Sequence, residues 1–228
     1  MLRAEAQWLA ERLRRLDAAA LSPLLDVGSS LPALLRQTQP WVAELLVEPL
    51  AHRGVVIQRT DLRAGPGVDF VGDLADPAFV EWLAEQGFRS VLCCNVLEHV
   101  PRPEVLARHL VALVPVGGYL VVSVPHRFPY HPDPIDTLFR PNPRQLVALF
   151  PQTRCLDSAI VRCGTALQYV NYSPLEALRR AARRFTGTGG APRTCAGTVS
   201  FLPWLFRQFE VTCAVLQRVD CAPAVRGQ

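Results

Sequence analysis

The sequence predicts an α/β domain built on a mostly parallel sheet. Three observations predict it. The stretch from Ser90 to Pro125 reads strand, loop, helix, turn, strand. Short apolar runs ending near Asp26, Asp61, Asp73 and Asn95 alternate with segments of helical spacing. The chain has 228 residues, half of them hydrophobic, which suits one domain with a large core.

The central unit sets the frame. Ser90 to Cys94 is rich in Val, Leu and Cys, as a strand buried on both faces requires. Asn95 ends it. Pro103 and Glu104 open a helix that places Leu106, Leu110 and Leu113 on one face. Pro115 and Gly117-Gly118 stop that helix, and Tyr119 to Val124 is a second apolar run closed by Pro125. A strand, a crossover helix and a strand make parallel neighbours. Ligands of such sheets bind beyond the carboxyl ends of the strands. That places the site at Asn95–His99 and Pro125–Asp136.

Before the central unit the elements follow in order. Residues 4–16 form an amphipathic helix with Leu9, Leu13 and Leu16 on one face. Leu24 to Val27 is a short strand that runs into the turn Gly28-Ser29-Ser30, and a helix starts near Leu31–Leu35. Such a turn lets backbone N–H groups approach a ligand, although GSSLPA does not meet the GxGxxG fingerprint. Residues 41–53 are helical with a break at Pro49. Val55-Val56-Ile57 is the second strand, with Asp61 just past its end, where these folds hydrogen-bond a ribose diol. Asp61 lies further beyond Gly28 than the roughly 20 residues of the dinucleotide fold. Val68 to Gly72 is a third strand ending at Asp73, and Pro77 to Gln86 is a helix.

Composition excludes several chemistries. All 24 basic residues are arginine, so a Schiff-base, P-loop or kinase lysine is impossible. This arginine bias fits a GC-rich coding sequence and a bacterial source. The seven cysteines form no CxxC pair and no zinc-ligand spacing, which fits reduced thiols in the cytoplasm. A net charge of +4 is too mild to argue for nucleic acid. No apolar run reaches the roughly 18–20 residues that span a bilayer. The charged N-terminus lacks a signal-peptide core. No nucleic-acid or membrane partner is expected, and the oligomeric state is open.

Together these stretches resemble a class I S-adenosylmethionine-dependent methyltransferase, of the type 11-like kind, over about residues 20–150. The strand followed by D-x-G-x-G appears as Asp26-Val27-Gly28-Ser29-Ser30, with Ser30 at the second glycine. Asp61 matches the acid after the second strand, and Gly72-Asp73-Leu74 the Gly-Asp pair before the adenine pocket. Asn95-Val96-Leu97-Glu98-His99-Val100 and the strand Gly117–Val124 are the most specific matches. Arg89 stands where the family usually has Asp. The resemblance implies a three-layer Rossmann-like sandwich, with a mostly parallel seven-stranded sheet and an antiparallel last strand. It implies that S-adenosyl-L-methionine is the cofactor. Gly28 and Ser30 would lie along its methionine part, with Asp26 holding the loop or the amino group. Asp61 would take the ribose hydroxyls, Asp73 and Leu74 would contact adenine, and Asn95 would sit under the sulfonium.

The stretch Pro125–Asp136 holds two of the five histidines and is rich in proline, which lowers the entropy cost of one loop shape. His126 and His131 are the candidate general bases, with Asp133 or Asp136 as orienting partner. A metal site from His126, His131 and Asp133 is chemically possible; the reading without a metal is preferred. His99 reads chiefly as a structural residue of the helix entry. The same residues can instead cap and pin the loop.

Asn142-Pro143-Arg144-Gln145 is a capping box before a helix to Phe150. Ala159–Cys163 is a strand, Ser173 starts a helix carrying Arg179, Arg180, Arg183 and Arg184, and Thr186–Gly197 is a loop. Phe201–Phe209 can wall an acceptor pocket, Glu210–Val219 is the last strand, and 221–228 is a tail. Residues 1–220 read as one domain: helix 1–19, cofactor core 20–150 and acceptor-side part 151–220. The expected activity is methyl transfer to a small-molecule or glycan acceptor at oxygen. Two alternatives stay open. One is a scaffold that has kept the fold without turnover, motivated by Ser30 and Arg89. The other, a nicotinamide-dependent oxidoreductase, is opposed by the missing GxGxxG and the absence of any YxxxK pair.

Overall fold

The computed structural model describes residues 1–28, 38–131, 135–169, 204 and 206–220. Ser30, the helix expected at Leu31–Leu35, Asp133, the arginine-bearing helix after Ser173, the loop Thr186–Gly197 and the tail lie outside these residues.

Helix α1 spans Arg3–Leu13, and the short α2 Ala18–Leu21, capped by the Asp17 side chain on Ala19 N–H. Strand β1 (Leu24–Val27) follows. The segment read as one broken helix is α3 (Pro40–Val42), a π-helical stretch (Ala43–Val47) and α4 (Glu48–His52). Pro49 brings no N–H, and the chain passes it by widening the preceding turn, with Glu48 N–H reaching back to Ala43 O. Strand β2 is Ile57–Asp61, shifted toward the carboxyl end of the expected Val55–Ile57, so Asp61 is its last residue. Strand β3 shrinks to Phe70–Val71. Helix α5 (Pro77–Ala84), β4 (Ser90–Cys94), a 3-10 turn (Leu97–His99) and α6 (Pro103–Ala112) follow. Next come β5 (Tyr119–Arg127), α7 (Pro143–Ala148), β6 (Thr153–Thr165), α8 (Ala166–Tyr169) and β7 (Gln208–Arg218).

Strand β5 does not stop at Pro125. Its antiparallel partner β7 accepts a register shift between Pro125 and Arg127, and a proline is tolerated at such an irregularity. His126 therefore sits on a strand rather than in the loop. The box at Asn142 forms as expected: its side chain accepts from Gln145 N–H, and the Gln145 side chain accepts from Asn142 N–H.

The sheet has seven strands among the described residues, ordered β3-β2-β1-β4-β5-β7-β6. The first five pair in parallel, and β7 runs antiparallel to both neighbours. Successive side chains serve opposite faces, which explains the continuous apolar strands. Leu25, Val27, Val91 and Val122 pack beneath α5, α6 and α7. Leu24, Leu92 and Val121 pack beneath α1 and α4. This is the expected three-layer sandwich. The strand order reverses at β1, which pairs β2 on one side and β4 on the other. The crevice beyond Val27 and Cys94 is therefore the natural ligand site.

Candidate active site

The turn after β1 needs a glycine. Gly28 has φ +67°, its N–H donates to Thr60 O at 2.9 Å, and a Cβ on it would stand 2.6 Å from a Val96 methyl. Gly28, just past β1, thus packs directly on the chain leaving β4. Asp26 lies on β1 opposite Arg59, whose Nε approaches Asp26 Oδ2 at 3.8 Å. Asp61 closes β2 and turns the chain by accepting from Arg63 N–H at 3.0 Å. Asp73 is exposed and accepts from Ala75 N–H at 2.8 Å. Leu74 packs on the core beneath α5 and α6, and its carbonyl is 2.7 Å from His109 Nδ1. Gly72 is crowded: a Cβ there would lie 2.5 Å from the Phe79 ring. The structure places Asp26, Gly28, Asp61, Asp73, Leu74 and Asn95 on the strand ends or turns of β1 to β4. Ser30 lies outside the described residues.

Asn95 carries a signal that the sequence reading missed. Its backbone takes φ +55°, which Asn tolerates better than most side chains. Its Nδ2 donates to Glu5 Oε1 at 2.9 Å, and Ser123 Oγ donates to the same oxygen at 2.5 Å. Glu5 is fully buried, and its other oxygen accepts from Leu2 N–H at 2.8 Å. Helix α1 therefore ties the chain leaving β4 to the middle of β5. A lone glutamate on the buried face of an amphipathic helix was the available signal.

A second group gathers around the 3-10 turn. Glu98 exposes none of its side chain, and burial first of all pushes its carboxyl up to about 7. His99 Nε2 lies 3.7 Å and His131 Nε2 3.9 Å from Glu98 Oε1. The two imidazoles meet edge to face, with centroids 5.2 Å apart. The loop bearing His131 is tied to this turn, since Thr137 donates to Glu98 O through its N–H at 2.9 Å and its hydroxyl at 3.0 Å. Asp136, one of the two acids expected to orient a histidine, stands beside His131, with Oδ2 3.2 Å from Nδ1; Asp133 lies outside the described residues. Burial alone would raise the Asp136 carboxyl. Two hydrogen bonds from Arg140, at 3.0 and 2.6 Å, and the N–H groups of Leu138 and His131 outweigh burial and hold it at about 2. Burial lowers His131 below its ordinary value, favouring a neutral ring at pH 7.

His126 is separate from this group. Its Nδ1 sits 3.1 Å from Pro141 O, which also accepts from Thr212 Oγ1 at 2.6 Å. On the far side of His131 stands an aromatic ladder. Phe128 contacts His131 at 5.1 Å and Phe209 at 4.9 Å, and Trp204 stacks on Phe209 at 5.7 Å. Part of the segment expected to wall an acceptor pocket is thus found beside the His131 loop.

No family model matches the chain, and no curated protein matches it in sequence. Solved structures do match it in fold. One is a sarcosine dimethylglycine methyltransferase, so named provisionally, from Galdieria sulphuraria, at TM-score 0.56 and 11% identity over 94% of this chain and 85% of that one. Another, a Bacillus halodurans protein also assigned provisionally as a methyltransferase, gives 0.53 and 12% over 93% and 99%. Coclaurine N-methyltransferase bound to N-methylheliamine and S-adenosylhomocysteine gives 0.52 and 12% over 93% and 69%. No helix among the described residues is long and apolar enough to cross a membrane. With its strand order, its reversal at β1 and these neighbours, the chain has the fold of the class I S-adenosylmethionine-dependent methyltransferases.

Proposed function

We propose that the protein transfers a methyl group from S-adenosyl-L-methionine to a hydroxyl of a small-molecule or glycan acceptor in the cytoplasm. The observation that carries the reading is the coincidence of two groups at one end of the sheet. Gly28, Asp61 and Asn95 line the crevice where the strand order reverses, and Glu98, His99 and His131 stand just beyond Asn95. The neighbour crystallised with S-adenosylhomocysteine supports the cofactor. Asp61 serves the ribose hydroxyls, Asp73 and Leu74 the adenine side, and Gly28, Asp26 and Ser30 the methionine side. Asn95, braced by Glu5, stands at the reacting centre.

The residues have two tasks. A methyl sulfonium is already activated, so in-line positioning supplies much of the barrier reduction. A hydroxyl acceptor must also lose its proton. That proton leaves at the His131 centre, where Asp136 fixes the ring; His126 stands apart, tied to Pro141 O. The aromatic ladder from Phe128 to Trp204 offers the acceptor an apolar wall.

Calorimetric titration with S-adenosylhomocysteine, with NAD and NADP as controls, tests the cofactor. Binding of the homocysteine compound alone supports the proposal, and no binding by folded protein refutes it. His131→Ala should keep this affinity and lose about 10²–10⁴-fold in turnover with an accepted hydroxyl substrate. Full turnover in His131→Ala and in His126→Ala would remove both histidines from the chemistry.

A further inference from the structure

The carboxylate of Glu98 is buried without the partners that such a group requires. Neither oxygen receives a hydrogen bond among the described residues, and none of the side chain is exposed. Leaving a buried carboxylate unsatisfied is costly, so something is expected to meet it. The groups that face it are two imidazole nitrogens, and both rings are oriented from behind. His99 Nδ1 is 2.5 Å from Ile135 O. His131 Nδ1 is 3.1 Å from Pro129 O and 3.2 Å from Asp136 Oδ2. Carbonyl and carboxylate oxygens only accept, so Nδ1 carries the proton in each neutral ring. Nε2 is then left with its lone pair, and in both rings Nε2 is the atom near Glu98. With Glu98 ionised, two lone pairs and a carboxylate oxygen converge with no hydrogen among them.

A cation satisfies all three. We propose that Glu98, His99 and His131 form a site for one divalent transition-metal ion. The ligand atoms all lie within 4.8 Å of one another. A metal–ligand bond is about 2.1 Å, so two ligands of one ion stand no more than about 4.2 Å apart. The spacings from Glu98 Oε1, 3.7 Å to His99 and 3.9 Å to His131, already fall inside that limit. The supports behind the rings are those that metal-bound histidines use: a backbone carbonyl for His99, and a carbonyl with a carboxylate for His131. Arg140 and two backbone N–H groups keep Asp136 ionised and in place behind His131. Two nitrogens and one oxygen suit Zn²⁺, Mn²⁺, Fe²⁺ or Co²⁺ better than Mg²⁺ or Ca²⁺, which prefer oxygen throughout. The side chains of His99 and His131 remain 20% and 31% exposed, so solvent reaches the cluster.

The site deepens the proposed function and rests on it only for its consequence. An acceptor hydroxyl that binds the ion at an open position becomes more acidic and releases its proton to water. Its oxygen then attacks the methyl carbon. The C–O bond forms, the C–S bond breaks, S-adenosylhomocysteine leaves, and the ion keeps its oxidation state. In this arrangement His131 holds the ion instead of the proton.

Equilibrium dialysis of the purified, metal-stripped full chain with Zn²⁺ alone tests binding, with Co²⁺ as a spectroscopic probe. The expected result is one tightly held ion and a Co²⁺ spectrum of nitrogen and oxygen ligands without thiolate charge transfer. Glu98→Gln, and separately His99→Ala combined with His131→Ala, should weaken binding at least 10-fold, with folding checked by circular dichroism. Two independent variants keep the test valid if one of them fails to fold. No binding by the unaltered chain overturns the site. So does equal binding by the folded variants, which moves the ion away from these residues, or a thiolate spectrum, which moves it to the cysteines. Metal binding without S-adenosylhomocysteine binding would keep the site and refute the proposed reaction. The converse would refute the site alone.

Discussion

Gly28→Ala isolates the contact that joins the two halves of the crevice. The backbone at Gly28 has φ +67°, where a Cβ costs about 1–2 kcal/mol. The new Cβ would also stand 2.6 Å from Val96 Cγ2. Valine is stiff about χ1 and cannot swing the methyl aside, so the chain must give, and overpacking of this kind costs about 1–3 kcal/mol. The expected loss is about 2–5 kcal/mol in urea unfolding. Adding Val96→Ala removes the clash and leaves the backbone term. The double variant should therefore recover about 1–2 kcal/mol relative to the sum of the single changes. The same cycle read by titration with S-adenosylhomocysteine should show weaker binding in Gly28→Ala that Val96→Ala partly restores. A loss below about 0.5 kcal/mol, or strict additivity, would refute the close packing of Gly28 on Val96.

Three further outcomes are expected. Asp61→Ala should weaken S-adenosylhomocysteine binding by about 1–3 kcal/mol, the worth of a charged hydrogen-bond partner, and unchanged calorimetric affinity would remove Asp61 from the ribose site. Glu5→Ala strands the Asn95 amide and the Ser123 hydroxyl, so thermal and urea unfolding should register a loss of about 2–4 kcal/mol. Asp136 titrates at about 2 in the folded chain against an ordinary 3.8, so its stabilisation is complete above pH 3.8 and drains away toward pH 2. The drop should be no more than about 2.5 kcal/mol in acid unfolding, and Asp136→Asn should flatten it.

The fold was legible because its signals are local. Strands buried on both faces must be apolar throughout, so Leu24–Val27 and Ser90–Cys94 stand out with no knowledge of their neighbours. Pro103 and Pro143 mark helix starts through their missing N–H, and Gly117 marks an exit through its positive φ. Strand limits were less legible. Pro125 reads as a stop, yet pairing with a strand more than 80 residues away carries β5 through it. The count of seven strands and the antiparallel last strand came from resemblance to a family, and the strand order was decided only by the structure, since beyond the central strand-helix-strand unit no local pattern encodes which strands are neighbours.

The candidate site divides in the same way. The sequence by itself determined that Asp26, Gly28, Asp61 and Asn95 fall at or beside the carboxyl ends of strands, as they do in the structure, while the cofactor roles proposed for them came from the family resemblance. It also determined that no lysine takes part. The histidine loop was visible as a composition, but the roles within it were decided by the tertiary structure. Only folding puts Asp136 beside His131, ties His126 to Pro141, and brings Glu98 and His99 close to His131. Only folding puts Glu5 against Asn95, since the two are 90 residues apart. The physical reason is range. Backbone propensity and periodicity act over a few residues, whereas hydrogen-bond and ligand geometry depend on distances fixed by packing across the whole sheet.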